Sequence, residues 1–157
     1  MEQLVSALRA DFPQFSFAVG EIHCWSPAEG QISYQTDESP LHMAGLLHEV
    51  AHAILGHRSY QSDLDLLQKE VAAWDKAAQL ADTYHTAFDG NHAQNCLDTY
   101  REWVYKRSTC PSCSAHGVQQ TTTSYHCLNC GGVWQVTAHR FRRPYRRSDA
   151  HKNRVVA

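Results

Sequence analysis

His48-Glu49-Val50-Ala51-His52, inside the apolar run 41–55, is the stretch on which the reading of this 157-residue chain turns. On an α-helix, residues four apart project from one face about a turn apart, so His48 and His52 reach a common point. Glu49 lies about 100° round the axis, near enough to act on water at that point without occupying it. The run is apolar nearly all round, which predicts a central buried helix. Two imidazoles and a carboxylate in such a helix are costly to bury unpaired. A zinc ion offsets that cost. HExxH on a helix is the pattern by which two histidines hold zinc while the glutamate serves as general base.

Working outward, Ser39-Pro40 starts the helix, with Ser39 as N-cap and Pro40 at the first helical position, and Gly56-His57 ends it. Upstream, Leu4, Val5 and Leu8 mark a short helix stopped by Pro13. Residues 15–19 and 31–35 alternate as strands do, with Ser26-Pro27-Ala28-Glu29-Gly30 as the turn between them. Downstream, a second helix opens at Ser62 with Asp63 and Asp65 in its first turn, and its apolar stripe is Leu67, Val71, Trp74, Ala78 and Ala81. A third, 93–106, turns Cys96, Leu97, Tyr100, Trp103 and Val104 inward.

Zinc in a hydrolase takes a third protein ligand and keeps one corner open. His57 falls nine residues after His48, about 180° round the helix, so it is expected to cap the helix end rather than converge. Glu70 lies on the next helix, within its apolar stripe. A carboxylate there is unusual unless paired; it either ligates the metal or bonds a backbone amide.

The strings LLHEVAHAILGH (46–57) and KEVAAWDKA (69–77) resemble the gluzincin metallopeptidases, specifically the small ImmA/IrrE-like and minigluzincin group. The resemblance implies a hydrolase with a zincin-like α+β domain over 1–107, a small sheet packed on the HExxH helix and a glutamate-bearing helix. It implies catalytic zinc on His48, His52 and Glu70, with Glu49 as general base, and a protein or peptide substrate. Larger gluzincins place an aspartate four residues after the glutamate to orient a zinc histidine; Trp74 stands there in this chain, and Asp75 faces elsewhere. The strand at 31–35 is the one expected to pair with extended substrate. Tyr84, His85, His92 and Tyr100 are candidates to steady an oxyanion, each more simply read as structural. Relatives in this group act on repressors and stress regulators, and some are latent through a C-terminal segment, so the implied substrate is a regulatory or DNA-associated protein.

Cys110-Pro-Ser-Cys113 and Cys127-Leu-Asn-Cys130 are two CxxC pairs, the pattern of a four-thiolate structural zinc. With Gly131-Gly132 after the second pair, 108–138 resembles a small β zinc ribbon. Cys24 and Cys96 are left as free core thiols. From 139 to 157 seven Lys/Arg face one acid, a balance of +6, whereas the preceding chain carries −8. Arg140, Arg142, Arg143, Arg146 and Arg147 interleave with Phe141 and Tyr145, as segments that contact nucleic acid do. A solvated tail, or one that lies across an acidic cleft and inhibits it, reads equally from these residues.

The sequence has no apolar run long enough for a membrane span, no secretion signal, and six cysteines suited to a reducing compartment. The expectation is a cytoplasmic zinc metalloprotease with one catalytic and one structural Zn2+. The rival is a non-catalytic zinc-ribbon protein that binds nucleic acid or protein and carries an inactive or latent zincin scaffold.

Overall fold

The computed structural model describes residues 1–137 and the backbone of 147 and 148. In chain order the elements are α1 (Glu2–Asp11), β1 (Ser16–Val19), β2 (Cys24–Ser26), β3 (Gln31–Tyr34), α2 (Pro40–Ile54), α3 (Asp63–Thr83) and α4 (Gly90–Ser108). After them come β4 (Val118–Thr121), β5 (Ser124–His126), β6 (Val133–Gln135) and β7 (Arg147–Ser148). The described residues thus form an α+β protein with four helices and two small sheets. None of these helices is long and apolar enough to cross a membrane.

Two compact units divide the chain: Met1–Ser59 with Gln68–Leu97, and Tyr60–Leu67 with the chain from Asp98 onward. The division passes through α3 and α4, whereas the sequence suggested a break at 107/108. The first turn of α3 and the last three turns of α4 group with the cysteine module because their side chains are buried there.

In the first unit the sheet order is β1-β3-β2. β1 runs parallel to β3 with Phe17 opposite Ile32, and β2 returns antiparallel with Trp25 opposite Ile32. β3 is therefore central and paired on both sides, so the strand expected to receive substrate has no free edge. The strand with an unpaired edge beside α2 is β2, whose three residues are too few to show alternation.

α2 begins as expected, with Ser39 Oγ accepting the His42 N–H at 3.4 Å. Leu46, Leu47, Val50 and Ala51 are fully buried, but Leu41 and Leu55 at its ends are exposed. At the C-terminus Gly56 takes φ +67°. The Gly56 N–H then bonds the Ala53 carbonyl (3.1 Å) and the His57 N–H the His52 carbonyl (3.0 Å), the double bond set of a Schellman cap. The chain doubles back at once, and His57 folds toward the helix it has just left.

α3 packs on a face turned by nearly one residue step from the anticipated stripe. Glu70, Ala73, Trp74, Ala77, Leu80 and Ala81 are buried, whereas Leu67, Val71 and Ala78 are half-buried. Ala73 and Ala77, fully buried with the smallest side chains, join Leu46, Leu47 and Val50 in one core and make the contact close. That rotation places Glu70 inside the packed face.

The second unit is built on a buried ion pair. Arg107 donates to Asp63 through Nε (2.5 Å) and Nη2 (3.2 Å), and both side chains are almost wholly buried. The Tyr125 hydroxyl and Gln119 Nε2 also donate to Asp63, and Arg107 reaches the carbonyls of Thr122 and Thr137. The guanidinium lies 4.3 Å over the Trp103 ring, and the Trp134 indole N–H donates to the Arg107 carbonyl at 2.9 Å. Around this the strands line up β4-β5-β6-β7, with Trp134 opposite Ser148. The segment expected to be only a tail from 139 thus returns at 147–148 as a fourth strand. Arg140, Arg142, Arg143 and Arg146 lie outside the described residues, Arg147 is described by its backbone alone, and the expectations placed on their side chains lie outside them too.

Removing the guanidinium with Arg107→Met leaves the Asp63 carboxylate buried without its cation. Breaking such a pair costs about 3–5 kcal/mol, so denaturant unfolding followed at Trp103 and Trp134 should show a loss of that size. A change below about 1 kcal/mol would mean the pair contributes no net stability.

Candidate metal centres

Among the described residues, two groups bring three or more metal-binding side chains together: His48, His52 and Glu70, and the four cysteines 110, 113, 127 and 130. In the first, α2 supplies the imidazoles one turn apart and α3 supplies the carboxylate. His48 Nε2 lies 3.1 Å from His52 Nε2 and 3.3 Å from Glu70 Oε2, and His52 Nε2 lies 3.7 Å from Glu70 Oε1. Tetrahedral zinc with bonds of about 2.0–2.1 Å requires donors about 3.3 Å apart. The observed edges bracket that value. Glu70 Oε2 is buried without a hydrogen-bond partner, an orphan that a cation would satisfy. Burial by itself raises a carboxyl, but the close approach of His48 and His52 outweighs it and holds Glu70 at about 2, so it is an anion at neutral pH.

The surroundings treat the two imidazoles differently. His48 is stacked on Trp74, ring centroids 4.2 Å apart at 25°, and its Nδ1 is buried without a partner. Trp74, four residues after Glu70, thus touches His48 with its ring face, while Asp75 is exposed as expected. His52 has a polar partner that sequence reasoning missed: its Nδ1 lies 2.8 Å from His57 Nδ1. The helical wheel that set His57 on the opposite side stops applying at Gly56, where the helix has ended. The signal available in the sequence was Gly56 itself, a C-cap residue that reverses the chain.

Glu49 is half-buried, and its Oε2 accepts the Trp25 backbone N–H at 2.8 Å. Trp25 also donates its indole N–H to the His57 carbonyl at 2.8 Å. One residue of the edge strand β2 thus holds both the glutamate of the motif and the partner of His52. Its neighbour Cys24 is exposed rather than in the core, because β2 is an edge; burial and the Glu49 charge push its thiol up. Cys96 is half-buried against His92, at 3.5 Å.

Two of the oxyanion candidates, Tyr84 and His92, have partners outside the His48–His52–Glu70 group. Tyr84 donates to Asp11 at 2.6 Å, and burial together with that carboxylate pushes its hydroxyl up to about 12. His92 meets Trp74 edge-on, on a ring that separates it from His48. His85 closes the end of α3 in a left-handed conformation, φ 52°.

In the cysteine group, Cys110 and Cys130 Sγ are 3.6 Å apart and Cys113 and Cys127 Sγ 3.5 Å. A tetrahedron of Zn–S bonds of about 2.3 Å has edges of about 3.8 Å, close to these. Each CxxC turn exits through a left-handed residue, Ser114 (φ 62°) and Gly131 (φ 71°); the first takes a serine where a glycine was anticipated only for the second. The Ser112 N–H and the Asn129 amide point at Cys110 and Cys113 sulfur. The Asn129 bond leads in holding Cys113 down at about 6. At Cys130 the Gly132 amide pulls the same way, but contact with Cys113, Cys110 and Cys127 prevails and pushes it up to about 12. All four could be thiolates at once only with a cation between them.

Comparison with protein-family models, with curated proteins and with solved structures finds no match for this chain.

Protein loaded with excess zinc and then desalted should carry two ions per chain by elemental analysis. Glu70→Ala and Cys113→Ser should each reduce the count to one and, as a double variant, to none. One ion in the unaltered protein, with Glu70→Ala unchanged, would remove the first group from consideration.

Proposed function

We propose that the protein is a zinc-dependent endopeptidase of gluzincin type, a zincin-like domain followed by a structural zinc ribbon. One observation carries the reading. The His48 and His52 Nε2 atoms of α2 lie 3.1 Å apart, and each is 3.3–3.7 Å from one oxygen of the Glu70 carboxylate on α3, with Glu49 next to His48 on α2.

His48, His52 and Glu70 would hold zinc, which would supply the Lewis acidity to polarise a substrate carbonyl and to make water a nucleophile near neutral pH. The chain does the proton work. Pinned at Oε2 by Trp25, Glu49 keeps Oε1 to accept the proton of the attacking water and return it to the leaving amine. β2 provides the docking edge: an extended peptide adding alongside it bonds through its main chain, which suits cleavage within a polypeptide. That edge runs beside Glu49, since the Trp25 N–H points off the sheet to it.

The four-thiolate group has no open corner, so its metal holds the ribbon's fold and takes no part in hydrolysis. Six cysteines with two CxxC pairs among them suit a reducing compartment, and the cytoplasm is the proposed location. For the substrate, the resemblance to ImmA/IrrE-like peptidases points to a regulatory protein that works at DNA.

Digestion of a denatured peptide library by the zinc-loaded protein should generate new termini at internal bonds. Glu49→Gln should keep both zinc ions and slow cleavage by about 10²–10⁴-fold, the usual weight of a general base. Cleavage at the original rate in that variant sinks the base assignment. A library left intact by the two-zinc protein sinks the peptidase reading.

A further inference from the structure

Two imidazole nitrogens 2.8 Å apart, His52 Nδ1 and His57 Nδ1, lie within hydrogen-bond distance; as a neutral pair, one carries the proton and the other accepts it. The opposite nitrogen of His52, Nε2, faces His48 and Glu70 at 3.1 and 3.7 Å. A metal ligand has no proton on the ligating atom, so neutral His52 carries its proton on Nδ1 and donates it to His57. His57 then holds its own proton on Nε2. The contact therefore assigns a tautomer to both rings.

His57 is held at this place by two further contacts. The left-handed turn at Gly56 (φ +67°) sends the His57 N–H back to the His52 carbonyl at 3.0 Å. The Trp25 indole N–H takes the His57 carbonyl at 2.8 Å. His48 has no equivalent, since its Nδ1 is buried without a partner and its ring rests flat on Trp74.

We propose that His57 is a positioning residue: held by Gly56 and Trp25, it accepts the Nδ1 proton of His52 and so presents the Nε2 lone pair to the metal. The proposal rests on the zinc reading of His48, His52 and Glu70, and extends it to a residue outside the HExxH pattern. It also gives the edge strand a second role, since Trp25 supports both Glu49 and the ligand His52.

The test compares His57→Ala, which removes the acceptor, with His57→Asn, whose Oδ1 sits where His57 Nδ1 does. Zinc affinity is measured by chelator competition, with the ribbon's zinc as internal reference. Loss of such a partner weakens metal affinity about 10–100-fold; His57→Ala should fall by this much and His57→Asn should recover most of it. Trp25→Phe, which frees the His57 carbonyl, should fall between them. Nitrogen-15 NMR of the zinc-loaded protein should show the His52 proton on Nδ1. Unaltered zinc affinity in His57→Ala, equal weakening in the Ala and Asn variants, or a proton on His52 Nε2 overturns the proposal while the metal site stands. If the unaltered protein takes up only the ribbon's zinc, the site and the role of His57 fall together.

Discussion

His48, His52 and Glu70 are each less than a tenth exposed, and a buried carboxylate between two imidazoles holds its place only where positive charge sits among them. Here Glu70 Oε2 makes no well-formed hydrogen bond, and two Nε2 atoms face each other at 3.1 Å. A divalent cation relieves both strains at once, because it takes one lone pair from each ring and one from the carboxylate. α2 must be buried enough to exclude competing water, and α3 must come close enough for a short side chain to reach. Ala73 and Ala77 on the contact face of α3 permit that approach.

Supports of different kinds hold the two ligating rings. An aromatic plane fixes the tilt of His48 but offers nothing to its buried nitrogen. A contact of 2.8 Å with His57 Nδ1 fixes the rotation of His52. Trp25 joins these supports to the edge of the sheet by bonding Glu49 through its backbone and the His57 carbonyl through its indole. The strand that would carry substrate is thus part of the scaffold of the site.

The second unit addresses a different difficulty. Its buried cluster is small, essentially Tyr125, Trp134, Val136 and two of the cysteines. So few apolar groups cannot offset the entropy of ordering the strands, and such modules rely on a metal or another cross-link. Here the four sulfurs hold one end. The Asp63–Arg107 pair, capped by Tyr125 and stacked on Trp103, holds the other. Both ions are buried and fully bonded, so the pair specifies one arrangement of the last turn of α4 against the first turn of α3 within this unit.

Local pattern made much of this legible. HExxH spacing gave the ligand pair, because an α-helix brings residues four apart to one face whatever surrounds it. Ser39-Pro40 and Gly56 marked the ends of that helix, and two CxxC turns marked the thiolate group, since cap and knuckle geometries are properties of a few adjacent residues. Glu70 stood out as a charge on an apolar helix face, although the true face is rotated from the one read. β2, the parallel pairing of β1 with β3, the His52–His57 contact and the Arg107 network were not legible. Each joins residues by a contact that no periodicity encodes: Trp25 to Glu49 and His57, Asp63 to Arg107 and Tyr125. By itself, then, the sequence determined which side chains could hold a metal and which helix presents the histidine pair. Only the tertiary structure decided which oxygen of Glu49 is held, which strand keeps an open edge and which nitrogen of His52 meets His57, because those depend on the distance between segments after packing.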